Sequence, residues 1–373
     1  MRLATYNVEN LFDRPGVFGL PDDADRKRLL KAYAEVSDLL EMPAYTPARK
    51  RQILKHLTTL GLANKDECKL SRLRVNHGRL LRRPRNGDAE VVAEGRNDWV
   101  GLVELRTEPV DAIAMENTAR VICEIDADVI GVVEADNRVV LDGFSRTLLP
   151  TVQGQPYEHV MLIDGNDLRG IDVGVMTKTG YDIVSICSHI DDRLPGNGNR
   201  IFSRDCAVYS IATPSGNRLC LLMNHFKSKG YGSMQDSNAK RKAQASRVAQ
   251  IYQELIEEGE QYIAIAGDFN DNPDSAPLEP LLRATDLRDV SELDNGRFGD
   301  GEYPGTYKGC TASNKIDYIL LSPALYSKTE AGGIFRKGMW PGVRPPKWAV
   351  YESITEEVHA ASDHACVWAD FVL

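Results

Sequence analysis

Two side chains at the end of one apolar run carry a strong chemical signal. Ile263-Ala-Ile-Ala-Gly267 reads as a short buried strand, and Asp268 and Asn270 follow it in a polar loop punctuated by Pro273. Two residues apart on an extended backbone, they face the same side. A carboxylate beside a carboxamide suits a hard cation or a phosphate oxygen. Gly-Asp-x-Asn also forms ordinary turns, because Asp and Asn bond their own backbone. The arrangement recurs along the chain. Asn7 follows Leu3-Ala-Thr-Tyr6, Glu134 follows Val129-Ile-Gly-Val-Val133, and Asn224-His225 follow Cys220-Leu-Leu-Met223. Asp317 stands between Ile316 and Tyr318-Ile-Leu-Leu321, and Ser362-Asp363-His364 precede Ala365-Cys-Val-Trp368. Burying charge is costly unless it is paired or metal-bound, so this many polar ends on buried runs point to a shared site.

The elements that would position these residues mix strands with amphipathic helices. Leu3–Val8 is the first predicted strand. Asp22 or Asp23 would cap a helix to about Leu40. Thr46-Pro47 would open a second, with Ile53, Leu57 and Leu60 aligned and Gly61 closing it. Residues 75–81, 89–94 and 99–105 read as strands between turn sequences. This block, about 14–108, is read as an insertion after strand one. A helix is expected over 110–125 and another over 237–258. Further strands are expected at 128–133, 168–178, 181–188, 205–212, 219–223, 263–266, 316–321 and 365–372. Residues 332–351, rich in Gly, Pro and aromatics, are expected to form a long loop.

Composition bounds the class. With 42% hydrophobic and 27% charged residues, the 373-residue chain is globular rather than disordered, and its length fits one large α/β domain with an insertion. No apolar stretch approaches the ~20 residues that cross a bilayer. With a strand predicted to begin at residue 3, no signal peptide is expected. The seven cysteines are odd in number and form no CxxC, so free thiols and a cytoplasmic, reducing location are expected, with no cysteine-built zinc site. The net charge of −9 is unevenly distributed: twelve basic residues lie between Arg49 and Arg85, opposed by Asp66 and Glu67 alone. Such asymmetry suggests a polyanionic partner.

Tyr6-Asn7-Val-Glu-Asn-Leu-Phe12, Asp128-Val-Ile-Gly-Val-Val-Glu134, Met223-Asn-His-Phe-Lys-Ser228, Gly267-Asp-Phe-Asn-Asp-Asn-Pro273, Lys315-Ile-Asp-Tyr-Ile319 and Ser362-Asp-His364 resemble signature segments of the endonuclease/exonuclease/phosphatase superfamily, in the same order. That superfamily includes deoxyribonuclease I, abasic-site endonucleases, neutral sphingomyelinases and inositol polyphosphate 5-phosphatases. The resemblance runs from residue 3 to the C-terminus, interrupted by the 14–108 block. It implies an α/β fold of two mixed β-sheets packed face to face, with helices outside.

The resemblance also implies roles. Glu134 would be the main Mg²⁺ ligand, with Asn7 and Asp363 nearby. Asp268 and Asn270 would orient the attacking water and hold the phosphate. His364 would face the scissile phosphate, oriented by Asp317. His225 matches the second histidine of the deoxyribonuclease I and sphingomyelinase branches, Arg204 a phosphate-contacting arginine, and Asp172, in Arg169-Gly-Ile-Asp-Val-Gly174, a carboxylate partner for His225. The residue types suit the chemistry independently. Phosphodiester hydrolysis needs an activated water and neutralised phosphoryl charge, which oxygen-held Mg²⁺ or Mn²⁺, a carboxylate–histidine pair and Asn or Arg donors supply. Nothing suggests a covalent nucleophile. The expected substrate is nucleic acid, DNA more than RNA. The 49–85 segment and the 332–351 loop, with Arg336, Lys337, Trp340, Arg344, Lys347, Trp348 and Tyr351, suit backbone charge and base stacking. Asn224-His-Phe-Lys-Ser-Lys-Gly230 resembles bacterial nucleases of this superfamily. The alternative is a phosphoesterase acting on a phospholipid headgroup or small phosphate ester.

Overall fold

Strands covered on both faces need apolar residues at every position rather than at alternate ones. Val129–Val133 and Ile263–Ala266 are such runs, and both are fully buried. The computed structural model describes all residues except 12–15, 21, 108–110, 168–169, 197, 230–232 and 344–346. Phe12, Arg169, Gly230 and Arg344, named above, therefore lie outside the described residues. Contacts divide the chain into two units, one of Met1–Phe12 with Val110–Leu373 and one of Asp13–Pro109.

The strands of the larger unit are β1 (Arg2–Leu11), β2 (Val129–Ala135), β3 (His159–Ile163), β4 (Asp172–Thr177), β5 (Ile183–Cys187), β6 (Ala207–Ala212), β7 (Arg218–His225), β8 (Ile263–Asp268), β9 (Arg288–Asp289), β10 (Phe298–Gly299), β11 (Asp317–Leu321), β12 (Thr329–Phe335) and β13 (Cys366–Phe371). They form a seven-stranded sheet in the order β10-β12-β13-β1-β2-β4-β3 and a six-stranded sheet in the order β9-β11-β8-β7-β6-β5. Both are mixed: β1 runs parallel to β2 and antiparallel to β13, and β8 runs parallel to β7 and antiparallel to β11.

The sheets meet face to face. Leu3, Val129, Val133 and Val175 from one interleave with Tyr209, Leu221, Met223, Ala266 and Ile319 from the other. Each of the Val, Leu, Ile and Met side chains among them contributes about 1.5–3 kcal/mol of burial. Helices cover the outer faces. Ala112–Ile125, capped by the Asp111 side chain, packs Ala119 and Ile122 with Tyr6, Ile130 and Val132. Met234–Glu257, capped by Ser233, packs Val248 and Tyr252 with Leu222, Ile265 and Leu320.

Several strands depart from the sequence expectation. β3 and the two-residue strands β9 and β10 had no predicted counterpart. β12 occupies the start of the expected 332–351 loop. Its two glycines look like loop residues, but they serve close packing: a Cβ on Gly332 would stand 2.6 Å from Val290 Cγ2, and one on Gly333 would stand 2.8 Å from the Gly299 carbonyl. No helix among the described residues is long and apolar enough to cross a membrane.

The smaller unit has its own core. Helices Asp23–Leu40 and Pro47–Thr59, capped by Asp22 and Thr46, bury Val36, Ile53 and Leu57 with Leu73, Trp99 and Val103. The Trp99 indole donates to the Tyr45 hydroxyl (3.0 Å), which donates to the Leu40 carbonyl (2.6 Å). Its strands are Ser71–Gly78 paired with Trp99–Leu105, and Leu81–Arg82 paired with Glu90–Val91. The expected 75–81 strand is thus two strands broken after Gly78, and the expected 89–94 strand shrinks to two residues. Many basic residues of the 49–85 segment pair locally: Lys50 with Glu94, Arg72 with Glu67, Arg74 with Glu104, Arg82 with Glu90 and Arg83 with Asp66. Across the unit, 19 basic residues face 15 acidic ones, so its net charge is +4 while the larger unit carries −13.

Candidate active site

The site begins with a close approach of two strands. Gly267 has φ +128°, and a Cβ there would lie 1.9 Å from the Asn224 carbonyl, so only glycine lets β8 pass β7 at this point. The register then sets Asp268 opposite His225 on β7 and opposite Asp317 on β11. Three neighbouring strand ends thereby deliver an imidazole and two carboxylates at one level.

Asp268 is the focus. Its Oδ2 accepts from Asn7 Nδ2 (3.3 Å) and Asn270 Nδ2 (3.1 Å), and its Oδ1 accepts from the Asn270 backbone N–H (2.7 Å). Asn270 reaches it from a left-handed backbone, φ 54°, and its amide also donates to the Phe226 carbonyl at 3.1 Å. His225 Nε2 lies 3.6 Å from Asp268 Oδ2 and 3.6 Å from Glu134 Oε1. Glu134 also has a left-handed backbone, φ 69°, at the end of β2.

His364 closes the other side. Its Nδ1 stands 2.9 and 3.1 Å from the two oxygens of Asp317, and its Nε2 stands 3.9 Å from Asp268 Oδ2 and 3.6 Å from Asp363 Oδ1. The Ile316 and Asp317 N–H groups both donate to Thr306 Oγ1, which fixes the strand that carries the carboxylate. The Tyr307 ring rests against the imidazole at 4.8 Å. Burial opposes a charged imidazole, yet Asp317, then Asp268 and Asp363, hold His364 well above the usual histidine range. Burial also pushes the Asp268 carboxyl up to about 7, with Asp317 adding and His364 opposing.

Sequence reasoning missed Glu9. Its N–H donates to Asn7 Oδ1 (3.2 Å) and its Oε2 accepts the Asp363 N–H (2.9 Å). It therefore ties β1 to the Ser362-Asp363-His364 segment. Burial, then Asp363, pushes its carboxyl up to about 7. The available signal was its spacing of two from Asn7, the same spacing as Asp268 and Asn270.

Asn7, Glu134, His225, Asp268, Asn270, Asp317, Asp363 and His364 are joined through the contacts above. Arg204 lies in the loop before β6, and Asp172 is the first residue of β4, in register with Ala135 of β2. Arg204 is 2% exposed and pairs with Asp167 (3.1 Å), and Asp172 Oδ1 accepts the Gly165 N–H (2.7 Å). The carboxylates found against His225 Nε2 are Glu134 and Asp268 rather than the expected Asp172. Burial, then Asp164 and Asp167, raises the Asp172 carboxyl from 3.8 to about 7, against the Gly165 hydrogen bond and Arg204. The folded state therefore holds this proton more tightly than the unfolded chain. That contribution to stability is complete below pH ~4 and is lost as pH rises through ~7, by up to about 4 kcal/mol. Asp172→Asn, whose carbonyl can still accept from Gly165, should accordingly gain stability relative to the parent between pH 5 and pH 8 in urea unfolding. A pH-independent difference would contradict this.

In the 332–351 loop the expected basic surface is partly used internally. Arg336 is buried and donates to the Asp300, Tyr303 and Gly305 carbonyls, and Lys337 pairs with Glu124. Tyr351 is buried as well.

The residues expected to hold a metal, Glu134, Asp363 and Asn7, would all offer oxygens: two carboxylates and a carboxamide. The surrounding carboxylates repel one another. Glu134 and Asp317 raise Asp268, and Asp363 raises Glu9. A divalent cation offsets that repulsion, and an oxygen set suits Mg²⁺ or Mn²⁺. Asp268, Asp317 and His364 also offer ligand atoms within 4.8 Å of one another, but both Asp317 oxygens already face His364 Nδ1. We therefore read this trio as a carboxylate–histidine network.

The sequence profile of the Endonuclease/Exonuclease/phosphatase family matches residues 81–335. The chain belongs to this family. Its members are hydrolases of phosphoester bonds and generally depend on a divalent metal. Solved structures share the fold. An endonuclease/exonuclease/phosphatase family protein from Bacteroides thetaiotaomicron aligns with 16% identity over 69% of this chain and 85% of that chain, at a TM-score of 0.51. A mannosyl-6-phosphatase from the same organism aligns with 17% identity over 70% and 91%, at 0.50. An endonuclease/exonuclease/phosphatase from Bacteroides vulgatus aligns with 15% identity over 70% and 90%, at 0.50. No curated protein matches the chain. Like other members of the family, this one builds its two sheets as a sandwich.

Proposed function

We propose that this chain is a divalent-metal-dependent phosphodiesterase that hydrolyses nucleic acid, DNA in preference to RNA, by in-line attack of water. The observation that carries this reading is the setting of Asp268 Oδ2. Two carboxamides donate to it, and Nε2 of His225 and of His364 lie 3.6 and 3.9 Å away. A divalent metal held by Glu134, Asn7 and Asp363 would neutralise phosphoryl charge. Asp268 accepts the proton of the attacking water, and Asn270 and Asn7 hold that carboxylate in place. His364, with Nδ1 fixed by Asp317, directs Nε2 at a phosphoryl oxygen. His225 balances Glu134 and Asp268 from the other side. Arg204 acts through the loop it holds with Asp167. The excess basic charge of the Asp13–Pro109 unit supports a polyanionic substrate.

A cleavage panel tests this reading: supercoiled plasmid, linear duplex, single-stranded DNA and RNA, each with Mg²⁺, Mn²⁺ or EDTA. Cleavage is expected with metal, is abolished by EDTA, and returns when Mg²⁺ is added in excess. If every nucleic acid stays intact while lipid or small phosphate esters release phosphate or a headgroup, the substrate is a small ester instead.

A further inference from the structure

A cavity of about 730 Å³ opens beside the candidate site, bounded there by Glu9 and Asp363. Its size is that of sites that enclose a small molecule. Elsewhere its lining is aromatic and basic. Met339 is buried beneath it, and Trp340 and Trp348 are half-buried in its wall. Trp348 is held firmly: its indole N–H donates to the Met339 carbonyl (3.4 Å), and its ring stands edge-on to Tyr303 at 5.4 Å. Lys308 is tied to the site, because its backbone N–H donates to the Asp363 carbonyl at 2.8 Å. Lys347 Nζ reaches the Gly309 carbonyl at 3.1 Å. Among the described residues neither ammonium is in an ion pair. The remaining charge on the lining is Glu357, at the exposed rim.

A ligand complementary to this cavity has an anion at the Asp363 end, where the metal would lie, a flat aromatic body, and a second anion within reach of the lysines. A nucleotide within a strand has that constitution: a scissile phosphate, a base and the next phosphate. Aromatic side chains hold bases by stacking and tolerate any base, since all present a flat π-face. A base in a duplex is already paired and stacked, and enters only after being pulled out. Resting on the nuclease reading above, we propose that this cavity holds the unpaired base of a nucleotide next to the scissile phosphate. The enzyme then acts on single-stranded nucleic acid in preference to duplex.

Two measurements on the full chain separate this proposal from the reading it rests on. One compares cleavage of an oligonucleotide as single strand, as duplex, and as single strand with an abasic residue beside the cleaved bond. The single strand should be cleaved faster than the duplex. Loss of the base should lower kcat/KM about tenfold or more, within the range that stacking on one aromatic supplies. In Trp348→Ala the same loss should follow, and removing the base should then change nothing further. Trp348→Phe, which keeps a stacking ring, should recover most of the effect and controls for misfolding. The other is a tryptophan-fluorescence titration with thymidine monophosphate in EDTA, which should show binding weakened about tenfold or more in Trp348→Ala. Cleavage that ignores both the base and Trp348 overturns the cavity proposal and leaves the nuclease reading intact. Monophosphate binding that depends on Trp348, without cleavage of any nucleic acid, does the reverse. Neither cleavage nor binding overturns both.

Discussion

His364→Ala is expected to lower kcat by about 10²–10⁴-fold with a smaller change in KM, the usual scale for losing a positioned acid–base group. The size follows from how completely the imidazole is held. Asp317 engages Nδ1 through both oxygens, the Tyr307 ring limits its tilt, and Nε2 is left facing Asp268 and Asp363. Asp317→Asn should be milder. An amide oxygen can still accept from Nδ1, and the backbone is pinned by Thr306 whatever the side chain. Steady-state kinetics on the substrate found in the cleavage panel, alongside a thermal melt of each variant, would measure this. A folded His364→Ala protein within threefold of the parent would remove His364 from the chemistry.

The largest expected loss of stability is at Arg241, which lies within the expected 237–258 helix and was not singled out from the sequence. It is 1% exposed on the inner face of the helix Met234–Glu257. Its Nε pairs with Asp271 Oδ2 at 3.0 Å, its Nη1 donates to the Lys227 carbonyl at 2.8 Å, and its Nη2 donates to Asn238 Oδ1. Asp271 lies just past Asn270 and is itself buried, and among the described residues the half-exposed Lys229 is its second cation, at 2.6 Å. Removing one partner of a buried pair strands the other, which costs about 3–5 kcal/mol. Arg241→Met should therefore destabilise by that amount in urea unfolding. It should also reduce kcat, since the loop that bears Asn270 loses its anchor. Adding Asp271→Asn should recover a good part of the stability, because no unpaired charge then remains. A loss below 1 kcal/mol in the single variant would show that water or Lys229 compensates Asp271.

Asp268, Asn270 and His364 were legible because each sits beside an apolar run whose burial is readable residue by residue. Glu9 was not. Its backbone turns left-handed at φ 49°, which strand alternation does not anticipate, and its partner Asp363 is 354 positions away. Arg241 escaped for a similar reason, since helix periodicity marks a buried face but does not reveal that a charged side chain on it meets Asp271. β12 was hidden by Gly332 and Gly333, whose missing side chains answer to Val290 and to the Gly299 carbonyl rather than to a turn. The basic stretch from Arg49 to Arg85 has less unpaired charge than its composition suggests, because acids that pair with it, such as Glu90, Glu94 and Glu104, lie further along the chain. The two-sheet architecture was legible as a resemblance, while which strand lies beside which was not.

The neighbours of β1 set an order of events during synthesis. Leu3 pairs with Val129 on one side and with Ala369 on the other. β1 must therefore wait for β13, which is made much later, while the Asp13–Pro109 unit can close on its own contacts as soon as it emerges. Until β13 emerges, β1 has an open edge that offers unpaired backbone to other chains. Asp268 and Asp317 will already have been synthesised, but His364 arrives only with the strand that seals the sheet. A chain stalled or clipped before residue 364 thus lacks His364 and leaves the edge of β1 open to association.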